Sequence, residues 1–262
     1  MKLSYIDNGK EFDWGKTSKD YATYRDIYSE LFYEKLHCLG IGRKGQRILD
    51  LGTGTGVLPR NMYKYGAEYV GTDISANQIE EAMRLSKELD LSISWKVCPA
   101  ENTGLSDNSF DAITAIQCWW YFDTSRIIPE VIRLLKPQGR LAIITVNWLP
   151  EEDEIAKRTE ELVLKYNPAW KGANYQREKL SVPKWLDNQF SVTTLHTYDD
   201  YLTFSREKWA GRIRACRGIG ASLNKETVNQ FNEEHMNLLL KIAPSEFEIL
   251  HQVIIQILRV EG

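Results

Sequence analysis

No stretch of about 18 consecutive apolar residues occurs in this sequence, so nothing in it reads as a membrane-crossing helix. The opening segment MKLSYIDNGKEFDWG has no apolar core of the kind a signal peptide carries. Cysteine is scarce and scattered: Cys38, Cys98, Cys118 and Cys216 form no CxxC pair, which argues against a zinc site or a redox motif. The reducing cytoplasm is the expected location. Histidine is equally sparse, and His37, His196, His235 and His251 show no metal-ligand spacing, so no metal site is expected. Cationic excess is missing too. Lys and Arg total 33 against 36 Asp and Glu, a net charge of −3, which points away from nucleic acid and from anionic membrane surfaces. There is no internal repeat and no low-complexity tract.

What is present is a globular composition. Hydrophobic residues make up 43% of 262, ample for a packed core. At roughly 150 residues per domain the length suits one elaborated domain or two small ones. Aromatics reach 11%, with 8 Trp and 13 Tyr, residues often used in ligand pockets as well as cores.

Between residues 45 and 147, short β-rich runs alternate with helical patterns. The strand runs are Gln46–Leu51, Glu68–Asp73, Ser92–Cys98, Phe110–Gln117 and Arg140–Asn147. Several are almost continuously apolar, as strands covered on both faces of a parallel sheet are. The intervening helices are expected over Val57–Tyr65, Ala76–Leu89 and Ser125–Leu135, the last stopped by Lys136-Pro137. This rhythm predicts βαβ units in a doubly wound α/β sheet. The flanks predict one helix over Ser18–Leu39, another over Glu151–Tyr166, strands at Ser191–Tyr198 and Val253–Val260, and helical structure from about 205 to 242.

Residues 48–56 read Ile-Leu-Asp-Leu-Gly-Thr-Gly-Thr-Gly. An apolar strand enters Gly52, Gly54 and Gly56 and leaves into a helix. Glycine there permits positive φ and close approach of a ligand to the backbone, and the free N–H groups of the following helix favour polar or anionic ligand groups. Asp73 ends the next strand and is placed to accept both hydroxyls of a ribose. A tight strand-to-helix turn followed by a solvated acid is the plainer alternative. The dinucleotide fingerprint GxGxxG needs a third glycine at position 57, which is Val. A ligand with an ammonium and no phosphate suits the loop better, with Asp50 two residues ahead of it.

Four stretches in this order resemble the class I S-adenosylmethionine-dependent methyltransferases, and within them the branch containing ubiquinone/menaquinone-type and trans-aconitate-type enzymes. They are Ile48–Gly56, Gly71–Ser75, Pro99–Asp111 and Leu134–Ile144. The resemblance implies S-adenosylmethionine as cofactor and a Rossmann-like seven-stranded sheet, mostly parallel with an antiparallel last strand. It implies a single domain over 1–262, with a cofactor-binding core at 45–147 and helical lid segments at 1–40, 150–190 and 203–245. It places Asp50 and Gly52, Gly54 and Gly56 at the methionyl part, Asp73 at the ribose, and Ile74, Ala100 and Glu101 at the adenine. Gln117 would lie beneath the sulfonium. Tyr21 and Arg25 match a segment that often closes over the cofactor, with Arg25 facing its carboxylate; a solvated helix face is the alternative.

Related members often carry His-Trp-Phe-Asp after the fourth strand. Here Trp120 stands at the aligned histidine, which removes the obvious base, so no catalytic residue is assigned. Gln117, Trp119, Trp120 and Tyr21 are candidates to line the acceptor site, with core packing the alternative for at least two of Trp119, Trp120 and Tyr121. The segment Arg206–Arg217 holds five cations against one acid. In trans-aconitate-type relatives the equivalent region helps hold an anionic substrate, so Arg214 and Arg217 are carboxylate-binding candidates, against a merely solvated charged face.

The expectation is methyl transfer to a small-molecule acceptor with a carboxylate or hydroxyl. The competing readings are an NAD(P)-binding oxidoreductase and a non-catalytic S-adenosylmethionine-binding protein. No nucleic-acid partner or membrane insertion is expected.

Overall fold

A computed structural model describes residues 1–261 except Asp187. The chain divides into two compact units, each built from three segments. The larger comprises Tyr28–Val146, Lys179–Tyr198 and Val253–Gly262; the smaller comprises Met1–Ile27, Asn147–Glu178 and Asp199–Gln252.

Seven strands form one sheet: β1 (Arg47–Leu51), β2 (Glu68–Asp73), β3 (Ser94–Val97), β4 (Phe110–Ile116), β5 (Leu135–Trp148), β6 (Phe190–Ser205) and β7 (Glu246–Val260). Their order is β3-β2-β1-β4-β5-β7-β6. Strands β1 to β5 are parallel, with Leu49 facing Val70 on one side and Ile113 on the other, and Ile113 facing Leu141. β7 runs antiparallel to β6: Thr193 bonds the Ile257 carbonyl, Thr197 the Val253 carbonyl, and Glu261 N–H the Gln189 carbonyl. The order reverses at β1 and β4, and in doubly wound sheets ligands bind at the carboxyl ends of the strands flanking such a switch point.

In the larger unit, α2 (Glu30–Cys38), α3 (Val57–Met62), α4 (Ala76–Glu88) and α5 (Thr124–Leu134) accompany the sheet. α5 presents Ile127, Val131 and Leu134, one helical face, to Leu49, Leu51, Ile113, Leu141 and Ile143 of the central strands, all buried. Burying each such side chain contributes about 1.5–3 kcal/mol.

The smaller unit holds α1 (Ser18–Tyr24), α6 (Glu154–Tyr166), α7 (Arg206–Arg214) and α8 (Lys225–Ile242). Its core contains Trp209, Ile213, Phe231 and Leu239. Gly211 admits the Tyr24 ring: a Cβ there would lie 2.3 Å from it.

Three sequence expectations change. The helix expected over Ser18–Leu39 is broken at residues 25–29, where Ser29 caps α2 by accepting the Phe32 N–H at 3.1 Å. A serine hydroxyl competes for backbone N–H groups and starts a helix better than it continues one. The 205–242 stretch is likewise two helices, with Asn224 capping the second through the Thr227 N–H. β6 and β7 run well past the residues expected of them, because the added positions are stabilised by ladder partners the local pattern does not reveal. Among the described residues, no helix is long and apolar enough to cross a membrane.

Candidate cofactor site

The site is built at the ends of β1, β2 and β4 in the larger unit. Asp50 is next to last in β1 and only 3% exposed. Both carboxylate oxygens are engaged: Thr53 Oγ1 donates to one and Thr114 Oγ1 to the other, each at 2.6 Å. Thr114 reaches it because strand register sets it beside Asp50. Burial pushes the Asp50 carboxyl up to about 6, the two hydroxyls opposing the shift and nearby Asp73 adding to it.

The loop after β1 uses its glycines for shape. Gly52, Gly54 and Gly56 have φ of 60°, 57° and 76°, the left-handed region where a Cβ is penalised. Two of them also meet the protein's own side chains. A Cβ on Gly52 would lie 2.9 Å from Cys118 Cβ, and one on Gly56 2.3 Å from Trp95 of β3. Close approach by a ligand, the reason expected from sequence, is therefore not what these two positions most visibly serve. Cys118 Sγ donates to the Leu51 carbonyl at 3.1 Å, and burial pushes its thiol well above the ordinary range.

Asp73 closes β2. It accepts the Gly54 N–H at 2.9 Å on one oxygen and the Ser75 N–H at 2.8 Å on the other. Its orientation is thus set by the glycine loop and by the start of α4. Desolvation raises its pKa against those backbone bonds. Beside it Ile74 is 55% exposed and Val97, ending β3, is 49% exposed, two apolar side chains offering their surface next to an acid. Ala100 is buried. Glu101 does not simply border a pocket: its carboxylate accepts the Asp123 N–H at 3.0 Å, at the start of α5.

Gln117 follows β4 with φ of 55°, a strained value for a side-chain-bearing residue, and its amide donates to the Val146 carbonyl. Trp119 is half-buried, with Phe122 at 5.9 Å and Trp185 at 5.5 Å between ring centroids, so it packs on the core. Trp120 is 38% exposed, its ring against Tyr121.

Tyr21, Arg25, Arg214 and Arg217 belong to the smaller unit. The Arg25 guanidinium lies 4.9 Å from the Tyr21 ring. Arg214 is paired with Asp20, both contacts at 3.1 Å, and donates to Asn232. Arg217 is paired with the buried Asp7 at 2.6 Å. Both arginines thus have internal carboxylate partners. His235 and His251 are fully buried in this unit. Among the described residues, no group of His, Cys, Asp and Glu is arranged to hold a metal ion.

Sequence reasoning missed Thr114 and Trp95. Thr114 becomes legible once β1 and β4 are set in register, and Trp95 once Gly71 is placed opposite it in β2.

Comparison with known proteins adds a domain match. Residues 49–143 match the model of a methyltransferase domain. An uncharacterised methyltransferase of Mycobacterium tuberculosis is 34% identical over 119 residues, 43% of this chain and 47% of that protein. A ubiquinone biosynthesis O-methyltransferase of Alkalilimnicola ehrlichii is 32% identical over 133 residues, 50% of this chain and 53% of that protein. The chain thus spans about half the length of the curated relatives it matches. A solved methyltransferase structure from Bacillus halodurans superposes with a TM-score of 0.55 at 17% identity, covering 88% of this chain and 99% of that one, a likeness of fold. Residues 49–143 thus match a methyltransferase domain, and the relatives that share this stretch carry methyltransferase names.

Proposed function

We propose that this protein binds S-adenosylmethionine in the larger unit and transfers its methyl group to a small molecule, at a hydroxyl or carboxylate oxygen. The observation that carries the reading is the pair of carboxylates, buried Asp50 and part-buried Asp73, on either side of the glycine loop. Two neighbouring acids favour a cationic ligand and disfavour the pyrophosphate of a dinucleotide. The donor set therefore fits the ammonium and sulfonium of S-adenosylmethionine.

When bound, that cofactor supplies a methyl group on sulfur, open to direct displacement. The protein's part is binding and orientation. Asp73, held by the Gly54 and Ser75 N–H groups, accepts ribose hydroxyls. Ile74 and Val97 flank the nucleobase with apolar surface. Asp50 supplies negative charge beneath the loop. Gln117, clamped to β5, borders the reacting end. A carboxylate acceptor needs no base. The relative named as a ubiquinone biosynthesis O-methyltransferase supports oxygen as the acceptor atom.

Isothermal calorimetry tests the reading. S-adenosylhomocysteine and S-adenosylmethionine should bind at micromolar concentration and NADH should not. No heat from either sulfur ligand up to millimolar concentration overturns it.

A further inference from the structure

The loop between β3 and β4 carries Ala100 and Glu101, and it is fastened to α5 at several points. Glu130 Oε1 accepts both the Thr103 N–H, at 2.8 Å, and the Thr103 hydroxyl, at 2.7 Å. Thr103 Oγ1 in turn accepts the Leu105 N–H at 3.2 Å. One turn further along α5, Arg133 bonds both oxygens of Glu130, at 2.8 and 2.9 Å. It also donates to the Leu105 carbonyl at 2.8 Å and pairs with Asp107. At the other end of the helix, Glu101 accepts the Asp123 N–H at 3.0 Å.

Glu130 is 9% exposed and Thr103 is buried. Burial alone would raise the Glu130 carboxyl. The Arg133 guanidinium and the two Thr103 donors outweigh it and hold the carboxyl down at about 2. A carboxyl held that low keeps the clasp charged at neutral pH. A carboxylate accepting a backbone N–H, a hydroxyl and a guanidinium at once is far more directional than apolar contact. It fixes the backbone of a loop that has no regular secondary structure from Pro99 to Ser106 to hold it.

We propose that Glu130 and Arg133 are positioning residues for nucleobase recognition. Acting through Thr103 and Leu105, they set the height and direction of the Ala100–Thr103 backbone against the adenine of the cofactor. This rests on the functional reading above. The two residues touch no part of the ligand themselves. Their effect is on affinity and base selectivity, and it leaves the displacement step alone.

The test compares Glu130→Ala, Glu130→Gln and Thr103→Ser with the unaltered full chain, using S-adenosylhomocysteine and its inosine counterpart, S-inosylhomocysteine, as calorimetric probes. Glu130→Gln keeps an acceptor for Thr103 and guards against loss of folding, checked by circular dichroism. Glu130→Ala should weaken S-adenosylhomocysteine by at least about tenfold and shrink its preference over the inosine analogue by a similar factor. Glu130→Gln should fall between, and Thr103→Ser, which retains both donors, should match the unaltered protein. Once an acceptor is found, the loss should appear in KM for S-adenosylmethionine with kcat within about twofold. Unchanged base preference in folded Glu130→Ala or Glu130→Gln overturns the proposal, as does an equal loss for both probes. If the unaltered chain binds neither probe, it is the cofactor assignment that fails.

Discussion

Trp95 stands against the bare Cα of Gly56, so closely that a Cβ at position 56 would lie 2.3 Å from its indole. The third glycine of the loop is thus demanded twice, by a φ of 76° and by an aromatic ring from β3. Gly56→Ala should destabilise the protein by about 2 kcal/mol or more. Adding Trp95→Ala should return part of that loss, because the ring contact goes and the backbone strain remains. A double-mutant cycle in urea should give a coupling of about 1 kcal/mol. Zero coupling would mean that the loop shifts freely away from the ring.

Asp50 carries its charge at a cost in stability. Its rise from an ordinary 3.8 to about 6 corresponds to about 3 kcal/mol. Because the folded pKa is the higher one, this penalty is absent below about pH 4, grows as pH rises through about 6, and is complete above it. Asp50→Asn should therefore be as stable as the parent at acid pH and more stable near pH 8, by up to about 3 kcal/mol. The same change should weaken S-adenosylhomocysteine, whose ammonium loses its carboxylate. In the unaltered protein affinity should be flat above about pH 7 and fall below about pH 6 as Asp50 takes up a proton. Thermal melts and calorimetry across pH check both halves.

Acid should undo the smaller unit by the opposite route. Thr159 Oγ1 accepts the Trp209 indole N–H at 3.0 Å and shares a hydrogen bond with His235 Nε2 at 3.2 Å. That imidazole is neutral, and burial lowers its pKa to about 3. Below about pH 6.5 the unfolded chain binds the proton more readily, and stability should fall by up to about 1.4 kcal/mol per pH unit until about pH 3. Buried His251, lowered in the same sense, adds to the slope. His235→Phe should be less stable at pH 7, through loss of the Thr159–His235 hydrogen bond, and should lose stability less steeply on acidification.

The Asp7–Arg217 pair ties the first turn of the chain to the segment after α7. Asp7 is 1% exposed and also accepts the Lys171 N–H at 2.8 Å. Removing one partner leaves a buried charge, so Asp7→Ala and Arg217→Ala should each cost about 3–5 kcal/mol in chemical denaturation. If Arg217 instead served to bind an acidic substrate, its loss would leave stability unchanged and raise KM.

Much of the larger unit was legible beforehand. Continuous apolar runs such as Arg140–Asn147 marked strands covered on both faces, and the glycine run marked the positive-φ turn after β1. Both signals are local, since a buried parallel strand and a positive-φ turn each impose their residue types within a few positions. The surroundings of the aromatic residues after β4 were not legible. Trp119 and Trp120 are neighbours of one residue type, yet one packs on Trp185 and the other is exposed. Nothing in the order of residues separates them, because burial depends on what the rest of the chain brings alongside.

The sequence by itself determined the parallel sheet, the left-handed glycine loop and the two acids beside it. Each follows from side-chain size, φ preference or charge at a fixed spacing. Only the tertiary structure decided that Thr114 caps Asp50, that Trp95 requires Gly56, and that Glu130 clasps Thr103. It also decided that Arg214 and Arg217 have partners in Asp20 and Asp7, nearly two hundred residues or more away. These pairings join positions from 27 to 210 residues apart, with Thr114 and Trp95 reached across the sheet. Such contacts form only after the strands are in register and the chain entropy of long loops has been overcome, and no local pattern encodes them.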